Sequence, residues 1–142
     1  RITAGKIFFN ELENLLKKKR SIAIESTLAG SYLLKTIKKV RLLGYRISII
    51  YVFIDSPKMA VERIKARVET GGHDVPEKDV LRRFFRSKNN FWRSYKSIAD
   101  EWTIIYNGIE KLVPVAAGEK NRYEVSDEGL FALFKMDIKN DK

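Results

Sequence analysis

The segment from Arg46 to Ile54 constrains the fold more than any other part of the chain. It consists almost entirely of Ile, Val, Tyr and Phe, and it is far shorter than the ~20 apolar residues of a membrane-spanning helix. Continuous apolar runs of this length are typical of strands buried on both faces of a parallel sheet. Asp55 ends the run, and Ser56-Pro57 then offers an N-cap and a first-turn proline. The segment therefore predicts a buried strand followed by a helix.

Apolar spacing elsewhere predicts helices and strands that alternate along the chain. Helices are predicted over Ile2–Lys19, Tyr32–Leu43, Lys58–Glu69, about Glu77–Ile98 and Ser126–Met136, and further strands over 21–25, 102–106 and 111–117. Gly44 is expected to cap the second helix, Ser126 the last one, and residues 118–123 to form a polar connection. The alternation predicts an α/β protein with a mostly parallel sheet.

Composition limits the classes of partner. The 142 residues, 44% of them apolar, fit a single domain over 1–142. The absence of cysteine excludes disulfides and fits a reducing compartment, so a cytoplasmic location is expected. No membrane segment is expected, because no stretch approaches the ~20 apolar residues of a membrane span. The net charge of +10 indicates an anionic partner, either nucleic acid or a phosphorylated small molecule. Solvated helix faces such as Lys17–Arg20 account for part of this charge equally well.

Polar residues follow three predicted strands at the point where each ends. They are Glu25, Ser26 and Thr27 after the first strand, Asp55 and Ser56 after the second, and Asn107 and Gly108 after the third. In open α/β sheets ligands bind beyond the carboxyl ends of the strands. The loop around Gly71-Gly72 is the natural candidate for a lid over this edge. The one histidine, His73, lies in that loop without a cluster of other ligands, so no metal site is expected.

Arginines gather on the two helices that this loop joins. They are Arg63 and Arg67 on the first helix, and Arg82, Arg83 and Arg86 on the second. Arg63 and Arg67 share one helical face, and a helical hairpin would bring the two basic faces together. Guanidinium groups bind phosphate oxygens bidentately, so the pattern favours a basic lid that stabilises charge in phosphoryl transfer. The alternative is that these arginines are solvated or paired with neighbouring carboxylates.

Several segments resemble bacterial zeta-toxin-like predicted kinases. Ser21–Gly30 reads S-I-A-I-E-S-T-L-A-G and is similar to the S-F-A-F-E-T-T-L-S-G strand and turn of that family. The residues from Arg63 to Pro76 and from Arg82 to Asn90 resemble its R-V-x-x-R-V-x-x-G-G-H-x-V-P and R-R-Y-x-R-S-x-x-N patterns. Ala4-Gly5-Lys6 and Gly44-Tyr45-Arg46 match shorter pieces, and the resemblance runs from about Ala4 to Gly118.

The resemblance implies a three-layer P-loop-NTPase-like fold with a helical lid over about residues 63–90. It implies a kinase that uses ATP or GTP with Mg²⁺ and phosphorylates a hydroxyl of a small substrate; toxin members of the family act on UDP-activated amino sugars. Glu25 and Thr27 would line the substrate side, and Asn107 would lie near the nucleotide base. The phosphate-contacting residues would be among Arg63, Arg67, Arg82, Arg83 and Arg86. An antitoxin protein would be a partner.

The phosphate-binding loop of that class is missing from the sequence. A Walker A loop reads G-x-x-x-x-G-K-[ST], and the one Gly-Lys pair, Gly5-Lys6, is followed by Ile7 and has no glycine five residues earlier. The family's first strand, P-loop and catalytic acid are therefore expected upstream of Arg1, and no catalytic residue is assigned within the chain. A polypeptide of this sequence alone is not expected to transfer phosphate at an enzymatic rate.

A nucleic-acid-binding module is the alternative function. In that interpretation aromatic residues of the long helix stack bases between Lys and Arg side chains; they are Phe84, Phe85, Phe91, Trp92 and Tyr95. Phe84, Phe91 and Tyr95 recur on one helical face, however, which favours a role in core packing.

Overall fold

The structure, a computed structural model, describes residues 4–139. Its helices are α1 (Ala4–Lys17), α2 (Tyr32–Leu42), α3 (Pro57–Glu69), α4 (Glu77–Asn90), α5 (Lys96–Ile98) and α6 (Glu128–Met136), and a π-helical segment, Phe91–Tyr95, joins α4 to α5. Its strands are β1 (Ser48–Phe53), β2 (Glu101–Asn107), β3 (Leu112–Glu119) and β4 (Arg122–Val125). None of the helices within residues 4–139 is long and apolar enough to cross a membrane. The predicted α/β class is confirmed.

The four strands form one mixed sheet in the order β1-β2-β3-β4. Only β1 and β2 are parallel, with Ser48 opposite Glu101 and Phe53 opposite Tyr106, so the prediction of a mostly parallel sheet is wrong. The strands β2, β3 and β4 are consecutive and are joined by short turns, which can connect only antiparallel neighbours. The predicted polar connection 118–123 is instead the tip of a hairpin, turning at Lys120, whose φ is +54°.

The strand predicted over residues 21–25 does not form. The backbone of residues 20–29 has no regular secondary structure. The next strand along the chain, β1, is an edge strand of the sheet. A strand needs a neighbour that accepts and donates its ladder hydrogen bonds, and no described strand runs beside this segment. Ile24 is accordingly 38% exposed. The three-layer P-loop arrangement stays a prediction.

The core lies on one face of the sheet and is rich in aromatic side chains. Its most buried members are Phe91, Tyr95, Ala99, Trp102, Ile104, Val115 and Phe134. Along β1 the burial alternates, since Tyr51 and Phe53 are buried while Ile50 is 66% exposed. The prediction that this strand is buried on both faces is therefore wrong for the residues described, because no described element covers the outer face.

Local signals fixed most helix ends correctly. The Ser56 hydroxyl accepts a hydrogen bond from the Met59 N–H at 3.2 Å, as an N-cap does, and Gly44 ends α2 with a φ of +86°. The N-cap of α6 is Asp127 rather than Ser126, because the Asp127 carboxylate accepts from the Leu130 N–H at 2.9 Å. A carboxylate at this position also suits the positive end of the helix dipole.

Candidate functional site

Arg63 binds the turn that follows β2. Its Nη2 donates to the carbonyl oxygen of Asn107 at 2.9 Å and more weakly to that of Gly108 at 3.4 Å. With the Asn107 amide oriented to satisfy its neighbours, the amide oxygen accepts from Arg63 Nη1 at 3.0 Å and the amide nitrogen donates to the Gly108 carbonyl. Two of the predicted site residues, Arg63 and Asn107, are thus in direct contact at the carboxyl end of β2.

Asp55 and Tyr106 lie at the same edge of the sheet. The Tyr106 hydroxyl interacts with the Asp55 carboxylate, which raises the pKa of Tyr106; partial desolvation and the carboxylate charge add to the rise, and the positive charge of Arg63 opposes it. The Oδ1 atom of Asp55 is buried without a hydrogen-bond partner among the residues described. This edge therefore has an acceptor that the described chain leaves unused.

Arg67 holds the loop between α3 and α4. Its Nη2 donates to the carbonyl oxygen of His73 at 2.8 Å, and its stem packs against Gly72 so closely that a Cβ there would lie 2.5 Å from Arg67 Cγ. Gly71 has a φ of +87°, a conformation that favours glycine. The Gly-Gly-His sequence is thus wrapped around the Arg67 side chain.

The three arginines of α4 differ in their partners. Arg82 forms an ion pair with Asp79 at 2.9 Å. Arg83 and Arg86 are exposed and make no hydrogen bond or ion pair with any residue of the described part of the chain. Asn90 follows Arg86 by four positions and Arg83 by seven, so the three share one helical face.

That face of α4 holds the turn that carries Glu25 and Thr27. The Asn90 amide donates to the carbonyl oxygen of Leu28 at 2.8 Å, and the Tyr95 hydroxyl donates to that of Gly30 at 2.9 Å. Within the turn the hydroxyls of Ser26 and Thr27 accept from the N–H groups of Leu28 and Ala29. Glu25 is exposed and has no hydrogen-bond or ion-pair partner among residues 4–139.

A cavity of about 300 Å³ opens beside this turn. Its lining residues are Phe8, Phe9, Ile24, Glu25, Ser26, Gly30, Tyr32 and Leu33. Phe9 packs against both Phe8 and Tyr32, at ring-centre distances of 4.9 and 4.1 Å. The cavity is therefore aromatic on the side of α1 and α2 and carries a carboxylate on the side of the turn.

The predicted site residues thus fall into two groups. Arg63 and Asn107 form one group at the end of β2. Arg83 and Arg86 lie on α4, whose last residue, Asn90, binds the turn that carries Glu25 and Thr27. Arg67 and Arg82 are engaged by the loop and by Asp79. The sequence predicted no role for Asn90, although this residue ends the R-R-Y-x-R-S-x-x-N pattern four positions after Arg86, and that was the available signal. For Tyr95 it predicted core packing or base stacking, not a hydrogen bond to the turn. Within residues 4–139 no group of acidic or histidine side chains is arranged to hold a metal ion.

Fold and site together define an α/β protein with a basic helical hairpin at the carboxyl end of its parallel strand pair. The family model for Zeta toxin matches residues 3–121, and the chain belongs to that family. An uncharacterized protein of Haemophilus influenzae is 30% identical over 83 residues, which cover 58% of this chain and 59% of that protein. The chain thus spans less than two thirds of that relative. No solved structure matches the chain significantly.

Proposed function

We propose that this chain carries the acceptor-substrate turn and the phosphate-binding arginines of a nucleotide-dependent small-molecule kinase. Membership of the Zeta toxin family implies a P-loop kinase-like domain. The observation that carries the proposal is the hydrogen bond from Asn90 to Leu28. It fixes the Glu25 turn to the helix face of Arg83 and Arg86, which have no partner among residues 4–139. The turn that carries the Glu25 carboxylate is thereby attached to the helix that carries the two guanidinium groups.

The chemistry of these groups suits the two ends of a phosphoryl transfer. The Glu25 carboxylate accepts hydrogen bonds from the hydroxyls of an acceptor, and the adjoining aromatic cavity takes the rest of a small molecule, of which a nucleotide sugar is one kind. Arg83 and Arg86 bind phosphate oxygens and stabilise the charge of the transition state. Thr27 shapes the turn through its hydroxyl.

Arg63, Arg67 and Asn107 have supporting roles in this proposal. Arg63 fixes Asn107 where the resemblance puts the nucleotide base, and Arg67 shapes the loop of a lid over about residues 63–90. Arg82 can bind phosphate after its ion pair with Asp79 breaks. The donor is ATP or GTP with Mg²⁺, whose P-loop ligands are not in this sequence. An antitoxin partner stays a prediction from the family, and a cytoplasmic location stays a prediction from the absence of cysteine.

The nucleic-acid alternative has less support from the aromatic side chains. Phe91 is 0% and Tyr95 is 1% exposed, so neither presents a ring face on which a base would stack. Phe85, at 41% exposed, is the residue of the proposed stacking set with the most accessible ring. The charge of +10 still favours weak binding to polyanions.

Calorimetric titration of the 142-residue chain with ATP, GTP and a UDP-activated amino sugar tests the proposal. We expect measurable binding of at least one nucleotide ligand and a roughly tenfold or greater loss in Arg86→Gln, since charge-assisted hydrogen bonds contribute about 1.5–3 kcal/mol. Arg122→Gln is the matched control, because Arg122 is exposed on β4 and its ion-pair partner among residues 4–139 is Glu119. An equal loss of nucleotide affinity in both variants would contradict the proposal. Tighter binding of single-stranded DNA than of every nucleotide would also contradict it.

A further inference from the structure

Two lysines contact the same indole ring at the amino end of β2, which is the end opposite to Asn107. Lys96 Nζ is 4.2 Å and Lys135 Nζ is 3.8 Å from the ring centre of Trp92. Lys96 precedes β2, at whose other end Asn107 lies, and Asn121 stands at the β3–β4 turn nearby. We call Trp92, Lys96, Lys135 and Asn121 the Trp92 cluster. It lies at the amino end of β2, opposite to the end that carries Asn107.

The positive charges of the Trp92 cluster have no counter-ion in the described chain. Lys96 is 8% exposed, and its one hydrogen bond goes to the amide oxygen of Asn121 at 3.1 Å. No carboxylate of residues 4–139 lies within ion-pair distance of either lysine. Burial lowers the pKa of both lysines, and the charge of Lys96 lowers that of Lys135 further. Contact with an aromatic face offsets only part of the desolvation of an ammonium group.

The other buried lysine shows what a compensated charge looks like in this protein. Lys88 is 1% exposed and lies near three phenylalanine rings, the closest being Phe84 at 4.6 Å. It also has a carboxylate partner, Asp137, at 2.5 Å. Buried charges are normally paired in this way. Lys96 and Lys135 share the aromatic setting of Lys88 but lack its carboxylate.

We propose that Lys96, Lys135 and Asn121 form a binding site for a phosphate-type dianion. The two ammonium groups supply donors and charge, as lysines do in phosphate sites. The Asn121 amide oxygen accepts from Lys96, so its NH₂ group retains two N–H donors for the anion. The indole of Trp92 holds both ammonium groups by cation–π contact. The anion replaces the missing carboxylate and relieves the repulsion between the two cations.

The proposed site is independent of the kinase assignment. Lys135 lies in α6, beyond residue 121, where the match to the family model ends. It is also built around different elements from those that carry Glu25, Arg83 and Arg86. A failure of the kinase proposal would therefore leave it unaffected.

Tryptophan fluorescence offers a direct test. Both tryptophans of the chain are in range, because Trp102 lies 6.1 Å from Trp92. We expect inorganic phosphate to cause a saturable change in emission that chloride of equal ionic strength does not cause. Lys135→Gln, a change of a partly exposed side chain, should weaken the response at least tenfold. Lys38→Gln on α2 removes the same charge from an exposed position and should leave it unchanged.

Three results would overturn the proposal. One is a phosphate response of the same affinity in wild type and Lys135→Gln, with thermal melts showing that both are folded. Another is a response that follows ionic strength alone, which would mean that the lysines are held by cation–π contact without a ligand. The third is loss of the response in Arg83→Gln/Arg86→Gln, since phosphate would then act at the candidate kinase site. Retention of the response in Lys135→Arg would support the requirement for a cation.

Discussion

The side-chain amide of Asn90 donates a hydrogen bond to the backbone carbonyl of Leu28 at 2.8 Å, across 62 positions of the sequence. It joins the last turn of α4 to a segment that has no regular secondary structure. Leu28 has a φ of +53°, which is costly for a residue with a side chain. The contact therefore holds a strained turn, and with it Glu25, at a fixed place on the helix that carries Arg83 and Arg86.

Asn90→Ala should release this turn. We expect unfolding by urea to show a loss of about 1–2 kcal/mol, because the partly buried Leu28 carbonyl loses its donor. Amide hydrogen exchange of residues 25–30 should also accelerate. Asn10→Ala, at an exposed position of α1, is the control and should change neither quantity. Unchanged exchange in Asn90→Ala would contradict the idea that this one contact positions the turn.

Arg63→Gln should loosen α3 from the turn after β2. Arg63 donates to two backbone carbonyls and faces the Asn107 amide, so its removal leaves several acceptors unpaired. We expect a loss of about 2 kcal/mol in the free energy of unfolding, whereas Lys65→Gln, an exposed change on the same helix, should lie within about 0.5 kcal/mol of wild type. Equal stability of the two variants would mean that solvent replaces the Arg63 contacts.

Local sequence signals correctly predicted features, such as helix caps, that depend on residues close by in the sequence. Ser56 as N-cap and Gly44 as helix terminator are confirmed because caps involve residues within one helical turn. The strand over 21–25 failed for the opposite reason, since β-branched residues form a strand only where a partner strand exists. The exposed face of Ile50 and Val52 likewise depends on what packs there, which periodicity does not report.

The candidate site shows the same division. The family pattern pointed to five arginines alike, but the structure distinguishes them by their partners. Arg63 and Arg67 bind backbone carbonyls and Arg82 binds a carboxylate, while Arg83 and Arg86 are unengaged within the described residues. Spacing put Arg63 and Arg67 on one face but gave no information on which carbonyl oxygen each guanidinium group reaches. Those contacts depend on the path of the chain between helices.

Gly72→Ala should distort the loop around Arg67. A Cβ at this position would lie 2.5 Å from Arg67 Cγ and 2.7 Å from the Arg67 carbonyl oxygen, and the backbone oxygen cannot move aside without opening the end of α3. We expect a destabilisation of about 1–3 kcal/mol by thermal or urea unfolding. Gly5→Ala is the matched control, because nothing lies within 4 Å of its added Cβ, and in a helix the change should be neutral or slightly stabilising.

The same pair of variants separates a structural role of Gly72 from a ligand-binding one. If the loop acts as a lid, Gly72→Ala should also weaken nucleotide binding, and Gly5→Ala should not. If Gly72→Ala is destabilised but binds nucleotide with wild-type affinity, the role of Gly72 is limited to stabilising the fold. If Gly72→Ala is as stable as wild type, the loop adapts to the added Cβ, and this would contradict the argument from close packing against Arg67.

The stability of the protein at alkaline pH should depend on Tyr51. Burial raises the pKa of this tyrosine, and the hydrogen bond with Ser87 at 2.9 Å only partly opposes the rise. The unfolded chain ionises at the ordinary tyrosine pKa of about 10, while the folded protein keeps the proton. The folded state therefore binds more protons above that pH, and its stability must fall as the pH rises further.

Tyr51→Phe should remove this dependence while losing the Ser87 hydrogen bond at every pH. Below pH ~9 we expect the variant to be less stable than wild type by about 1 kcal/mol. Between pH ~10 and ~11 the wild type should lose up to about 1.4 kcal/mol more than the variant, the value for one group per pH unit. Urea unfolding of both proteins at each pH measures the difference, in which other titrations cancel. Parallel pH profiles would show that Tyr51 ionises in the folded protein, and that its burial is less complete than the 7% exposure of the residue indicates.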